Sequence, residues 1–358
     1  MALLNDSVKS NSFIDVSVII PVRNCENYLD ACLNSIYEQD FTGSVEVCVF
    51  DDSSTDNSLK IIHDWKAKLE HRGFSLVVIE GRDAKPHGPG FGRNQAVKQS
   101  SGSFLCFMDA DDIMHPSRIA KQFKVAVSNP GAIVGSRFIR HPQGSTKRFT
   151  KWANTLNSRQ LYLQAYTSNG PTVIMPTWFC SRSVFEVVGG FDEGGLGTPE
   201  DLIFFYRHLD LGGTLICVED VLVTYYYYHS ASATFSIEED TVWRLRMDAI
   251  QRCVLVHWKT FTIWNAGKQG RRFFRSLSEE NRKKVVAFCD VDAKKLAKGA
   301  YTHEDSQISP KVKIPIVHFK VAAPPFIICI KLNLTGDSFE NNLSSLNLTE
   351  GVDYFHFN

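Results

Sequence analysis

Ser103-Phe104-Leu105-Cys106-Phe107-Met108-Asp109-Ala110-Asp111-Asp112 is an apolar run that ends in three acids. The run predicts a buried β-strand, because apolar side chains follow one another without a turn former. An Asp-x-Asp at a strand tip is a set of hard oxygen ligands. Mg²⁺ or Mn²⁺ held there would keep open positions for substrate phosphates. The same acids, followed by His115-Pro116, also read as a plain turn and helix start.

Upstream residues favour the first reading. Val16–Pro21 is a short β-branched run, and a helical pattern follows with Tyr28, Leu29, Cys32 and Ile36 at spacings of three and four. Val45–Phe50 is a second strand. Asp51-Asp52-Ser53-Ser54-Thr55-Asp56 then turns into a helix carrying Ile61, Ile62 and Trp65. Phe74–Glu80 is a third strand, and Gly88–Gly92 opens a helix at Arg93. Strands alternating with helices predict an α/β fold, a mostly parallel sheet flanked by helices on both faces. Ligands bind such sheets at the carboxyl ends of the strands. Pro21-Val22-Arg23, Asp51-Asp52 and Asp109–Asp112 all fall there, so polar groups converge on one rim.

Farther along the pattern is less regular. Thr172–Pro176 and Thr214–Val218 read as strands, and Asp201–Leu211 and Glu238–Trp258 as helices. A glycine-rich loop, Gly189–Gly195, lies beside Pro199-Glu200-Asp201. From about 261 the composition changes to a second, smaller α/β unit with strands at Val285–Asp290, Pro315–His318 and Phe326–Ile330. The expected division is a tail over 1–12, a first domain over 13–258 and a second over 259–358.

The chain has 358 residues and a formal net charge of zero, so no global field draws it to nucleic acid or anionic lipid. No segment approaches the roughly 20 apolar residues of a membrane span. Met1–Asp6 is too short and polar for a signal peptide. The nine cysteines stand singly, without a CxxC pair, which argues against zinc and for a reducing compartment. The expected location is the cytoplasm, with no membrane and no obligate protein partner.

Six motifs occur in order: Ser17–Asn24, Phe50–Ser58, Gly92-Arg93-Asn94, Phe107–Asp112, Gly189–Glu193 and Glu200-Asp201. Together, over roughly residues 14–235, they resemble the family 2 glycosyltransferases with the GT-A nucleotide-diphospho-sugar transferase fold. The resemblance implies a UDP-sugar donor and a divalent metal, Mn²⁺ or Mg²⁺. It places Asp52, with Asp51 alongside, at the uracil ring, Pro21 and Arg23 against the nucleotide, and Arg93 in the donor region. It gives Asp109 to ribose and metal, Asp111 to the metal, and Asp201 to the catalytic base of an inverting transfer. Tyr225–Ser230 matches a strand where many relatives carry Tyr-Arg-x-His. His229 is therefore a candidate metal ligand, although tyrosine stands where the arginine would be. Trp178 is a candidate to stack on an acceptor sugar, or a buried packing residue. Asp192 and Glu193 read as loop-structuring. No Gln-x-x-Arg-Trp occurs, which argues against a processive polysaccharide synthase.

A longer likeness runs through Ser168–Arg182, Phe261–Arg272 and Val285–Asp292, to members of the family that glycosylate queuosine in tRNA. It implies transfer of galactose from UDP-galactose to queuosine at the anticodon wobble position of tyrosine tRNA. Residues 268–320 hold thirteen Lys/Arg against six Asp/Glu. Arg271, Arg272 and Arg275 are candidate tRNA contacts, with Phe273, Phe274 and Tyr301 as candidate base platforms. A solvated basic face over core phenylalanines is the plain alternative. Gly267–Gly270, with Asp290 some twenty residues on, reads as a Rossmann-like turn that lacks the full dinucleotide fingerprint. Two other functions stay open: N-acetylglucosamine transfer to a glycan, and a catalytically silent UDP-sugar- or RNA-binding protein.

Overall fold

The computed structural model describes residues 13–83, 85–226, 236–304, 310–332, 334 and 336–358. The chain divides into two compact units. One holds the described residues up to Thr150 together with Val173–Ser236, and the other holds Lys151–Thr172 and Ile237–Asn358. Residues 151–172 and 237–258, expected in the first domain, group with the second. Packing explains this: Trp243 meets Phe357 edge-on at 5.1 Å, and Arg246 donates to the Tyr166 carbonyl at 2.8 Å.

Up to Thr155 the elements are β1 (Val16–Val22), α1 (Leu29–Tyr37), β2 (Val45–Asp51), α2 (Ser58–His71), β3 (Ser75–Glu80), α3 (Pro89–Lys98), β4 (Phe104–Phe107), β5 (Ile113–Met114), α4 (Arg118–Ser128), β6 (Ala132–His141) and α5 (Lys147–Thr155). Next come α6 (Gln160–Leu163), β7 (Phe179–Ser181), α7 (Arg182–Val188), α8 (Glu200–Asp210), β8 (Thr214–Tyr226) and α9 (Glu239–Cys253). The last stretch holds β9 (Phe261–Trp264), α10 (Lys268–Ser276), α11 (Glu279–Lys283), β10 (Val285–Asp290), α12 (Ala293–Lys298), β11 (Ala300–Thr302), β12 (Lys313–His318), β13 (Phe326–Ile328), α13 (Ser338–Ser344) and β14 (Tyr354–His356).

The first unit is built on an eight-stranded sheet in the order β3-β2-β1-β4-β7-β6-β8-β5. β3, β2, β1 and β4 run parallel. Their apolar runs are continuous because both faces are covered: Val16, Val18, Ile20, Val47 and Val49 have no exposed surface. Each such side chain contributes about 1.5–3 kcal/mol on burial. Val22 pairs with Asp51, and Ile19 with Phe107, so β1, β2 and β4 end at one edge. The three polar strand tips therefore share a rim. β7 then runs antiparallel to both β4 and β6.

The sequence reading missed β6. Gly135 interrupts it, and a Cβ there would meet Val173 Cγ1 at 2.0 Å. The position is glycine because another segment lies against the strand, not because the chain turns. The strand expected at Thr172–Pro176 is instead a lead into a 3₁₀ turn, Met175–Thr177, since Pro176 cannot donate to a ladder. The strand comes later, as β7.

The second unit carries a six-stranded sheet, β11-β12-β10-β9-β13-β14, parallel except for β11 at the edge. Trp264, Cys289, Phe319, Phe326, Ile328 and Phe339 form a core cluster there. This is the expected Rossmann-like α/β unit. All nine cysteines are free thiols. No helix among the described residues is long and apolar enough to cross a membrane.

Candidate active site

The rim begins with the turn after β2. Asp52 is 4% exposed, and its carboxylate accepts the backbone N–H groups of His87 and Gly88, each at 2.9 Å. The His87 ring stacks on Phe91 with centroids 4.2 Å apart. Arg23 Nη1 donates to the Asp52 carbonyl at 2.7 Å, and Asp51 accepts the Ser54 N–H at 3.0 Å. Ser53 takes φ +55°, a left-handed conformation that explains why a glycine suits this turn. Pro21, Arg23, Asp51 and Asp52 are thus one connected corner at the ends of β1 and β2.

The second corner is the acid cluster. Ligand oxygens of Asp109, Asp111 and Asp112 lie within 4.8 Å of one another. Three carboxylates at that spacing fit a hard divalent cation. Asp112, expected to belong to the turn, has no exposed surface, and its N–H donates to the Asp109 carbonyl at 3.1 Å.

Arg93 joins the acid cluster to the third corner. Its side chain is 3% exposed; Nη2 donates to Asp109 Oδ1 at 2.6 Å and Nη1 to Glu200 Oε1 at 2.7 Å. Burial alone would lower the guanidinium's pKa, but the charges of Asp109 and then Glu200 outweigh that and hold it above its ordinary value. The Asp109 carboxyl is raised, chiefly by burial; Arg93 opposes the shift and Asp111 reinforces it. Arg93 lies in the expected region, yet both terminal nitrogens end on carboxylates. What it visibly does is fix Asp109. Glu200, unassigned from sequence, is the second anchor. Gly90 lets the loop into α3 come this close: a Cβ there would meet the Asp192 carbonyl at 2.2 Å.

Asp201 follows Glu200 in the first turn of α8. Its Oδ1 accepts the Leu202 N–H at 2.7 Å. Burial, then the neighbouring Glu200 charge, pushes its pKa up to about 7. That lies near the operating range of a general base. The loop before it is tied by Asn94, which donates to Glu193 Oε1 at 2.7 Å and accepts the Phe191 N–H at 2.9 Å. Glu193 and Asp192, which accepts the Gly194 N–H at 3.0 Å, structure that loop.

Trp178 is 1% exposed, donates to the Val173 carbonyl and stacks on Phe191, so burial is the alternative the structure shows. His229 lies outside the described residues. In the second unit, Arg272 is 3.9 Å from the Trp243 ring centre and pairs with Glu239 and Asp240. Arg271 lies over Tyr301 at 5.4 Å, and Arg275 is exposed. Phe273 and Phe274 have no exposed surface and pack on Phe357 and Phe288, so they are core residues and not base platforms. The Rossmann-like turn is filled by its own side chains: Asp290 accepts the Ala266 N–H at 2.9 Å and Lys295 Nζ at 2.8 Å.

Residues 17–189 match the Glycosyl transferase family 2 profile. The chain is 34% identical over 119 residues to a poly(ribitol-phosphate) beta-glucosyltransferase of Bacillus spizizenii, covering 33% of this chain and 18% of that protein. It is 32% identical over 165 residues to the poly(ribitol-phosphate) beta-N-acetylglucosaminyltransferase TarS of Staphylococcus aureus, covering 44% of this chain and 28% of that protein. The chain thus spans less than a third of the length of these relatives. The structure of S. aureus TarS 1–349 in complex with UDP-GlcNAc superimposes with a TM-score of 0.52 at 23% identity, over 75% of this chain and 71% of that one. Sheet order and superposition agree on the architecture: the unit that holds the profile match over residues 17–189 is built on the GT-A fold.

Proposed function

We propose that the chain is an inverting glycosyltransferase that uses a UDP-sugar. The carrying observation is the buried network Asp109–Arg93–Glu200, which ends beside a carboxylate raised to about 7 at Asp201. In this reading Asp52, Asp51, Arg23 and Pro21 hold the nucleoside, and Arg93 fixes Asp109. Asp201 removes the proton of an acceptor hydroxyl as that oxygen attacks the anomeric carbon. The bond from that carbon to the diphosphate breaks on the opposite face, and UDP leaves with the electron pair. A divalent cation held by Asp111 and Asp109 would supply positive charge to the diphosphate.

For the finer identity we propose galactose as the sugar and queuosine in the wobble position of tyrosine tRNA as the acceptor. The likeness through residues 168–182, 261–272 and 285–292 supports this, as does the basic composition of residues 268–320. The cytoplasm is the compartment that fits such an acceptor. The curated relatives favour a second reading, transfer of N-acetylglucosamine or glucose to a glycan, because their names specify those sugars. Incubation with UDP-galactose and queuosine-containing tRNA should add one hexose mass to the nucleoside. Absence of that product, with transfer from UDP-N-acetylglucosamine to a glycan, establishes the second reading. A silent binding protein is disfavoured by the intact set Asp52, Asp111 and Asp201, and it would yield neither product.

A further inference from the structure

Between Asp112 and Glu186 the chain has no acid, although Asp and Glu make up 39 of its 358 residues; ten Lys/Arg fall in the same stretch. In a chain of zero net charge this is a local excess, and the fold shows what much of it does. Arg118 and Arg182 donate to the carbonyls of Phe107 and Gly102. Lys121 pairs with Asp220 at 2.6 Å, and Arg137 reaches Glu219 at 3.8 Å. Arg159 donates to the Glu350 carbonyl. Lys147 and Arg148 differ from these. Both are exposed, and no carboxylate among the described residues pairs with either.

They stand in the first turn of α5, which holds no acid. That end of the helix dipole favours acids over cations, so helix stability gives no reason for two cations there. Their place in the fold gives one. Phe149, the next residue, packs on Phe138 of β6 with ring centres 6.1 Å apart, and Arg140 lies over the Phe149 ring at 5.0 Å. The start of α5 is thus seated on the end of β6. Across the sheet, Thr224 of β8 has Ile139 of β6 on one side and Ile113 of β5 on the other. Ile113 directly follows the acid cluster. Adjacent strands lie about 4.8 Å apart, so the end of β6 is roughly 10 Å from the strand that leaves the acids. The residues of this packing all belong to the first unit.

We propose, on the tRNA reading of the acceptor, that the first turn of α5 is a docking surface for the phosphate backbone of RNA, with Lys147 and Arg148 as its cations. Phosphodiesters bring a row of negative charges, and these two side chains can meet them without leaving a protein partner. Contacts of this kind fix the position of the RNA and read no sequence. An acceptor nucleotide brought to the rim carries its flanking phosphates there with it.

The test is fluorescence anisotropy of labelled queuosine-containing tyrosine tRNA with the full chain over a series of salt concentrations. Lys147→Gln with Arg148→Gln is expected to flatten the slope of log affinity against log salt by about 1.4–1.8, the share of two phosphate contacts. At about 0.15 M salt that is a loss of roughly ten- to thirtyfold, with the curves meeting near about 1 M. UDP affinity is expected to stay at the wild-type value. Lys68→Gln with Lys98→Gln removes the same charge from the last turns of α2 and α3, away from the strand tips, and is expected to leave the slope unchanged. An unchanged slope in the α5 variant, or an equal change in the Lys68 and Lys98 variant, overturns this surface. So does a parallel loss of UDP affinity, which marks a structural role. Should the double variant fail to fold, Lys147→Gln alone decides by half the change in slope. A wild-type chain that prefers poly(ribitol phosphate) to tRNA overturns RNA as the occupant. One that binds UDP and no tRNA overturns the acceptor reading and this surface with it, and leaves the donor reading standing.

Discussion

Arg93→Met tests whether one buried cation holds the site together. Methionine keeps much of the length of the side chain and removes the charge. The guanidinium is 3% exposed, Glu200 11% and Asp109 23%, so water replaces the lost partner poorly at Glu200 and only in part at Asp109. Breaking a buried pair from one side costs about 3–5 kcal/mol, because it strands the opposite charge. For a unit of this size each kcal/mol shifts Tm by about 2–4 °C. The expected loss is therefore roughly 6–20 °C in a calorimetric melt at pH 7.5. A second variant isolates the interaction. Glu200→Gln in the Arg93→Met background removes one stranded carboxylate, so part of the loss should return, with a coupling of roughly 1–3 kcal/mol in a double-mutant cycle. An Arg93→Met melt within about 2 °C of wild type, set against the 6 °C minimum, or strictly additive single effects, would falsify the bridge as a stabilising element.

The other expectations concern chemistry. Asp201→Asn removes the proposed base: turnover should fall by about 10²–10⁴, with UDP affinity nearly intact, and a variant that keeps its activity excludes this assignment. With Asp201 raised to about 7, the base is ionised only above that pH. Transfer should therefore climb with pH, flatten above 7 and drop about tenfold per unit below it. Glu200→Gln removes a like charge, so the acid limb should move to lower pH; a limb that does not move contradicts the pairing. Asp111→Asn should abolish the metal dependence of UDP binding in titrations with and without Mn²⁺, while uridine binding persists. Arg271→Glu with Arg275→Glu should raise KM for tRNA more than KM for UDP-galactose, and equal changes would remove the second unit from acceptor docking. Arg272 is left out because its pairs with Glu239 and Asp240 already belong to the unit's own structure.

What could be read in the sequence was whatever is local. The apolar runs of β1, β2 and β4 announce themselves because both faces are buried, and parallel strands of that kind need no long-range information. Their shared edge follows, and with it the meeting of Pro21, Asp52 and Asp109. β6 was hidden: Gly135 breaks its run, and only Val173, 38 positions later, explains that glycine. Trp178 shows the same limit. Its surroundings in sequence suit a sugar platform or a core equally, and Val173, Phe191 and Phe204 decide for the core. The bond from Arg93 to Glu200 spans 107 positions, beyond any periodicity.

That bond also explains why two acids stand together at the start of α8. Successive residues of a helix point about 100° apart, so Glu200 and Asp201 cannot serve the same partner. Glu200 turns to Arg93, while Asp201 keeps one oxygen on the Leu202 N–H and the other clear of that bond. The anchor raises the pKa of its neighbour by its charge, and Arg93 moderates the rise. A single aspartate at this position would still be raised by burial, but it would lack both the further push of the Glu200 charge and the tie to Arg93. The acid cluster gains by the same arrangement: Asp109 is pinned through Arg93 to the helix that carries Asp201. The proposed donor and base positions are thus linked by one ion pair at each end of a single side chain, and a displacement of either carboxylate is felt by the other through Arg93.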